Sequence, residues 1–182
     1  MVAKHKYLLT YRFSEIIHDL TVEFIRKYID YKSRTRDQME QAARSGKQNI
    51  VEGVGFGRTS KKIEIKLLGV AMASLEELIT DLEDFLRQRN LKIWIKNDFK
   101  VLEFKKITFR LSNLSNLGPL GNLIEKPILP QNPEEAANFL LTLCHQATYL
   151  LNRQIQKAEE DFIEKGGYSE NLFKKRLEER GK

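Results

Sequence analysis

No proline interrupts the first 118 residues of this chain, and apolar side chains recur through them at three- and four-residue steps. Proline stops a helix because it lacks the amide proton and its ring clashes with the preceding turn. Its absence over so long a stretch makes long amphipathic helices the default, and no segment shows the two-residue alternation of a half-buried strand. Phe13, Ile16, Ile17, Leu20, Phe24, Ile25 and Tyr28 mark one face of a helix predicted over 9–31. A second helix is expected over 37–54, with Met39, Ala42, Ala43, Gly46, Ile50 and Val51 inward. Gly53, Gly55 and Gly57 are expected to end it through the left-handed conformation that glycine tolerates. A third helix, capped by Ser60 or Thr59, should run to about Arg89 and bury Ile63, Leu67, Val70, Ala71, Ser74, Leu78, Leu82 and Phe85. Beyond a connector containing Trp94, a helix is predicted over 99–114. Pro133 then suits the first turn of a last long helix, which Gly166 and Gly167 close; the tail 168–182 either docks as a short helix or frays.

The expected fold is therefore all-α: an antiparallel four-helix bundle with an additional C-terminal helical segment. With 182 residues there is enough chain for one domain with a substantial core. The expected division is a bundle over 8–116, a Gly/Pro loop over 117–132, and a C-terminal helix and tail over 133–182. No apolar run approaches the roughly 18 residues that span a bilayer, and no secretory pattern opens the chain, so a cytoplasmic protein is expected. The lone Cys144 cannot form an internal disulfide, which fits a reducing compartment.

The formal charge of +6 is unevenly distributed. Nine basic and four acidic side chains lie between Lys32 and Lys66, and eight basic and two acidic ones between Arg87 and Arg110. The acids gather at Glu76, Glu77, Asp81, Glu83 and Asp84. Such segregation predicts a basic face or end suited to a polyanion, and an acidic stripe elsewhere. Arg58, Thr59, Ser60, Lys61 and Lys62 bring cations and donors to the start of the third helix, where free N–H groups favour anions. Lysines there oppose the helix dipole and so do not serve helix stability.

Small side chains form a second pattern. Ala42, Ala43 and Gly46 on one helix, and Gly69, Ala73 and Ser74 on another, allow close backbone approach, either within the bundle or between subunits of a ring. Arg44, Asn49, Glu52, Ser74 and Glu77 are expected to form a structural polar network, since a carboxylate near an apolar stripe needs a partner. Of the aromatics, Tyr31 and Trp94 have basic neighbours; stacking on unpaired bases requires them to be exposed there.

The block Gln41, Ser45, Asn49, Ile50, Glu52, Gly53, followed by Arg58 and by Ser74, Leu75, Glu77, Leu78, resembles the bacterial four-helix-bundle proteins, also called rRNA intervening-sequence proteins. The likeness covers residues 10–92, and the longer C-terminal portion resembles an extended subgroup. The accessory proteins of diversity-generating retroelements look similar too. That resemblance implies a cyclic pentamer whose basic surface binds nucleic acid and a reverse transcriptase.

Chemistry is poorly represented. The glycine-rich turn 53–60 follows no strand and lacks Gly-Lys-Ser/Thr, so it is not a phosphate loop. Glu15 and His18 match half of a carboxylate di-iron signature whose second half is absent. Cys144 and His145 are adjacent and do not share a helical face. Arg12 and His18 fit the loose spacing of a helical ribonuclease superfamily, which makes His18 the one candidate for acid–base work on RNA. No cofactor or metal is expected. The favoured reading is non-catalytic binding of RNA or DNA through backbone charge, by Arg34, Arg36, Lys47, Arg58, Lys61, Lys62 and Lys66, with Lys105, Lys106 and Arg110 as a second set. The alternative is a scaffold for a protein partner such as a polymerase.

Overall fold

The structure is a computed structural model that describes residues 3–181. Among these, six α-helices carry the chain: α1 (Leu9–Tyr28), α2 (Thr35–Phe56), α3 (Lys61–Gln88), α4 (Phe99–Leu111), α5 (Pro133–Lys165) and α6 (Tyr168–Arg180). No named strand occurs among the described residues; one isolated bridge joins Leu117 to Leu123. No helix is long and apolar enough to cross a membrane.

Four helices close a bundle in which each corner packs on two neighbours: α1 on α2 and α5, and α3 on α2 and α5. Side-chain bonds give their directions. Thr10, early in α1, donates to Gln154, late in α5, whereas Tyr28 at the end of α1 reaches the carbonyls of Pro130 and Gln131 just before α5. Ser74 of α3 meets Ser45 of α2 at 3.0 Å, while Gly53, later in α2, faces Leu67, earlier in α3. Both pairs are antiparallel. The fourth corner thus belongs to α5, beyond the Gly/Pro stretch, and α4 lies outside the bundle against α5. Length explains the choice. At about 1.5 Å per residue the 13 residues of α4 cover too little of the bundle, whereas the 33 of α5 run past it.

The Gly/Pro stretch does more than connect. Leu123 and Leu129 enter the core, and the Arg12 guanidinium, buried in α1, donates to the Ser112 carbonyl at 2.6 Å and to that of Lys6 at 3.1 Å. α6, in contrast, buries no residue and does not dock.

Local chemistry corrects several expected boundaries. α1 ends at Tyr28, three residues early, because the Asp30 carboxylate accepts the Lys32 N–H and turns the chain. Gly53 and Gly55 lie within α2, and Gly57 after it is right-handed at φ −57°, so no left-handed glycine ends that helix. The Thr59 and Ser60 amides fold back to the Phe56 carbonyl instead. In α3 the Ser60 cap is as expected, accepting from Ile63 N, and Ala71, Ser74, Leu78, Leu82 and Phe85 are buried as predicted, but the first part of the apolar stripe is not. Ile63 and Val70 are exposed, and Glu64, Leu68 and Leu75 take the inward positions. Adjacent apolar pairs such as Leu67–Leu68 and Val70–Ala71 allow either register. The one adopted seats Leu75 against Gly46, where a Cβ would stand 2.9 Å from Leu75 Cδ2.

The small residues therefore divide. Gly46 makes room for Leu75 inside the bundle, whereas a Cβ on Gly69 would meet nothing within 4 Å. Gly46→Val should lower stability by about 1–3 kcal/mol through overpacking against the fully buried Leu75. Gly69→Ala, in the open, should raise it by about 0.5–1 kcal/mol by reducing backbone freedom in the unfolded chain. Denaturant midpoints of the two variants check both.

Candidate nucleic-acid interface

The predicted cations do not form one patch. Arg34 and Arg36 sit at the start of α2 and Arg58 just past its end, separated by a helix of 22 residues, about 33 Å long. Lys47 turns inward from the middle of α2, where its ammonium donates to His18 Nδ1 at 3.0 Å. Lys61 is held by Glu64 at 2.6 Å. The Glu64 carboxylate also lies over Gly57, so the N-terminus of α3 already carries an anion from its own chain. Of this set, Arg34, Arg58, Lys62 and Lys66 remain exposed and form no ion pair among the described residues. Lys62 and Lys66 are one turn apart and share a face.

The second set lies on α4. Lys106 and Arg110 project to solvent, and Lys105 is half-buried with Nζ 3.5 Å from the Lys96 carbonyl. Beside the cations the same outward face exposes one acid, Glu103, together with Phe99, Leu102 and Phe109, the two phenylalanines to 78% and 63%. Their spacing of three and seven residues repeats the helical period, as does the inward set Val101, Thr108 and Leu111. In the sequence the only signal for this face is a helix apolar on both sides, a pattern that a buried core helix also produces.

What holds α4 in place is a polar clamp on α5. Asn138, almost fully buried, accepts from the Trp94 amide at 2.8 Å and donates to the carbonyls of Lys92 and Glu134. The Glu134 carboxylate receives Trp94 Nε1 at 2.9 Å and the Lys92 amide, and the Trp94 bond is the main reason its pKa falls below the usual glutamate value. Trp94 stacks on Phe104 of α4, which packs in turn on Phe139 of α5. Lys100 sits over the Trp94 ring and is paired with Glu135, a bond that raises its pKa. Thr108 closes the far end by donating to Gln146.

Between the connector, α4 and α5 this arrangement leaves a groove of about 590 Å³. Trp94, Val101, Leu141 and Tyr149 supply its apolar surface, Lys96 and Lys105 its charge, and no carboxylate lines it. Across the molecule, at the α2–α3 seam, Asp37, Glu77 and Asp81 line an opposite kind of cleft. Burial raises the Asp81 pKa, with the charges of Asp84 and Glu77 adding to the effect.

The structural polar network is smaller than the sequence suggests. Asn49 donates to the Ser45 carbonyl and hydroxyl, and Ser74 to Ser45. Arg44, Glu52 and Glu77 are exposed and take no part. His18 and Arg12 do not converge: Arg12 is spent on backbone carbonyls, and His18 faces Lys47, with burial the first cause of its lowered pKa. Cys144 is buried and its thiol pKa is pushed up, while its neighbour His145 is exposed. Among the described residues no three His, Cys, Asp or Glu side chains gather as a metal-ligand set.

Comparison with protein-family models, with curated proteins and with solved structures finds no match.

Two outcomes follow from these interactions. Asn138→Ala removes the partners that the Lys92 carbonyl and the Trp94 amide find on α5 and should cost about 1–3 kcal/mol, seen as a lower thermal midpoint and a red-shifted emission of Trp94. Asp81 has a raised pKa in the fold, so its ionisation opposes folding once the pH exceeds the ordinary aspartate value of 3.8. Asp81→Asn should therefore raise the thermal midpoint at pH 7, and the gain should vanish on acidification below that value; melts across pH measure both.

Proposed function

We propose that this chain is a non-catalytic nucleic-acid-binding helical bundle that contacts the RNA or DNA backbone through exposed cations. The observation that carries this reading is the α4 face, where Lys106 and Arg110 stand in solvent beside a groove that contains two further lysines and no acid. Arg58, Lys62 and Lys66 offer a separate group of exposed cations at the α2–α3 turn. Cations so placed displace counterions from phosphates, giving affinity that falls steeply with salt and reads little sequence.

The bundle works best in this reading as a homo-oligomer, and the resemblance noted above makes the expected ring a pentamer. Support comes from the outer face of α3, where Gly69, Val70 and Ala73 present small and apolar surface to solvent. Repetition of a modest patch around a ring multiplies weak attractions. A second reading has its own observation: Phe99 and Phe109 are exposed far beyond what a helix covering α5 needs, which also suits a protein partner such as a reverse transcriptase.

Fluorescence anisotropy with labelled RNA and DNA across a salt titration tests the proposal. Submicromolar binding is expected, and Lys105→Glu/Lys106→Glu/Arg110→Glu should reduce the slope of log affinity against log salt by about 0.7–0.9 for each phosphate no longer neutralised. Arg58→Glu/Lys62→Glu/Lys66→Glu should weaken binding in the same sense. Absence of binding near physiological salt overturns the reading and favours the scaffold.

A further inference from the structure

We infer that the α4 surface and the adjoining groove select single-stranded over duplex nucleic acid by taking up unstacked bases. The inference rests on the nucleic-acid reading above and names the form of the ligand. Three observations converge on it. First, Phe99, Leu102 and Phe109 form an exposed apolar row on the same helical face as Lys106 and Arg110, with Phe109 between the two cations. Second, the groove beside that row is concave and open, and Tyr149 stands at its wall 62% exposed. Its volume of about 590 Å³ lies within the roughly 300–1,000 Å³ typical of sites for nucleoside-sized ligands. Third, cations outnumber acids where a ligand would lie: on α4 Lys106 and Arg110 stand exposed with one acid, Glu103, and no acid lines the groove. Lys96 and Lys105 belong to the groove, and the two acids of the first turn of α5 are held internally, Glu134 by Trp94 and Lys92 and Glu135 by Lys100.

Cations alone do not distinguish a duplex from a single strand, because both offer phosphates. Aromatic rings do. In a duplex each base face is covered by its neighbours, and a ring on the protein surface finds no partner. In a single strand every base presents a π-face, and stacking on aromatic side chains adds to backbone attraction without demanding a particular sequence. A surface meant only for phosphates has no use for two phenylalanines beside its cations. An acidic protein could use them, and that occupant is an outcome of the test.

The test compares oligo(dT) and oligo(U) strands with a blunt duplex of equal length, using anisotropy for affinity. Trp94 is the only tryptophan of the chain and lines the groove, so its emission reports occupancy there. Single strands are expected to bind at least about tenfold more tightly than the duplex and to quench Trp94, which the duplex leaves unchanged. Phe99→Ala/Phe109→Ala should remove most of that preference while leaving duplex affinity within about twofold, and Tyr149→Ala should diminish the Trp94 response. Circular dichroism should show these surface variants folded. Equal affinity for strand and duplex, or single-strand affinity unchanged in Phe99→Ala/Phe109→Ala, overturns the inference while the charge-based reading stands. Loss of self-association or of a protein partner in that variant, with strand binding intact, also overturns it and gives the face to a protein. Absence of binding to any nucleic acid sinks the underlying reading and the inference together.

Discussion

Nine consecutive residues of α5, Ala136 to Cys144, are buried. A helix two and a half turns long can be enclosed all round only if something covers the side that faces away from the bundle. Here the inner side closes against α1 and α3, and the outer side is covered by the Leu91–Trp94 connector and α4. Most of the remaining architecture follows from that demand. The cover must cross a helix surface with its own backbone groups satisfied, and Asn138 meets the requirement by bonding Lys92 and Trp94 with one amide. Leaving those groups unpaired would cost as much as several buried methylenes contribute. A single polar residue in an otherwise apolar run thus fixes where the connector lies, which way Trp94 points, and where α4 begins.

Charge arranges itself around the same frame. Because α5 and its cover use Glu134 and Glu135 for internal bonds, the outer surface of α4 is left with cations in excess. At the opposite side the α2–α3 seam gathers Asp37, Glu77 and Asp81, where burial and the neighbouring carboxylates raise the Asp81 pKa. A net charge of +6 spread evenly would attract any polyanion weakly. Separated in this way, it gives the molecule a basic side and an acidic side with potentials of opposite sign.

How much of this could be read from the residues depended on whether the deciding force was local. Helix period, the Ser60 cap, the proline at the start of α5 and the glycine at its end act within a few residues, and each stands where the pattern puts it. Register across α2 and α3 is a tertiary matter. The pair Leu67–Leu68 cannot say which member faces inward until Gly46 and Leu75 meet. The same holds for the corner taken by α5. Periodicity identifies a helix before and a helix after the Gly/Pro stretch, but not which of the two completes the bundle. The candidate cations divide along similar lines. Charge clusters in sequence point to Lys47 and Lys61 as readily as to Lys62 and Lys66, yet His18 and Glu64 occupy the first two. Those partners come from another helix in one case and from the next turn in the other.

The exposed row on α4 is the least economical feature of the fold. Covering α5 requires Val101, Phe104, Thr108 and Leu111, which already supply an apolar face to the inside. Phe99, Leu102 and Phe109 contribute nothing to that packing and leave apolar surface in water. Two large rings on a short outer helix favour association and aggregation unless a ligand covers them or neighbouring charge keeps chains apart. Lys106, Arg110 and Glu103 supply that charge around the exposed rings. In this fold the packing of the bundle ends at the inner face of α4, and its outer face serves no contact within the chain that burial of the core requires.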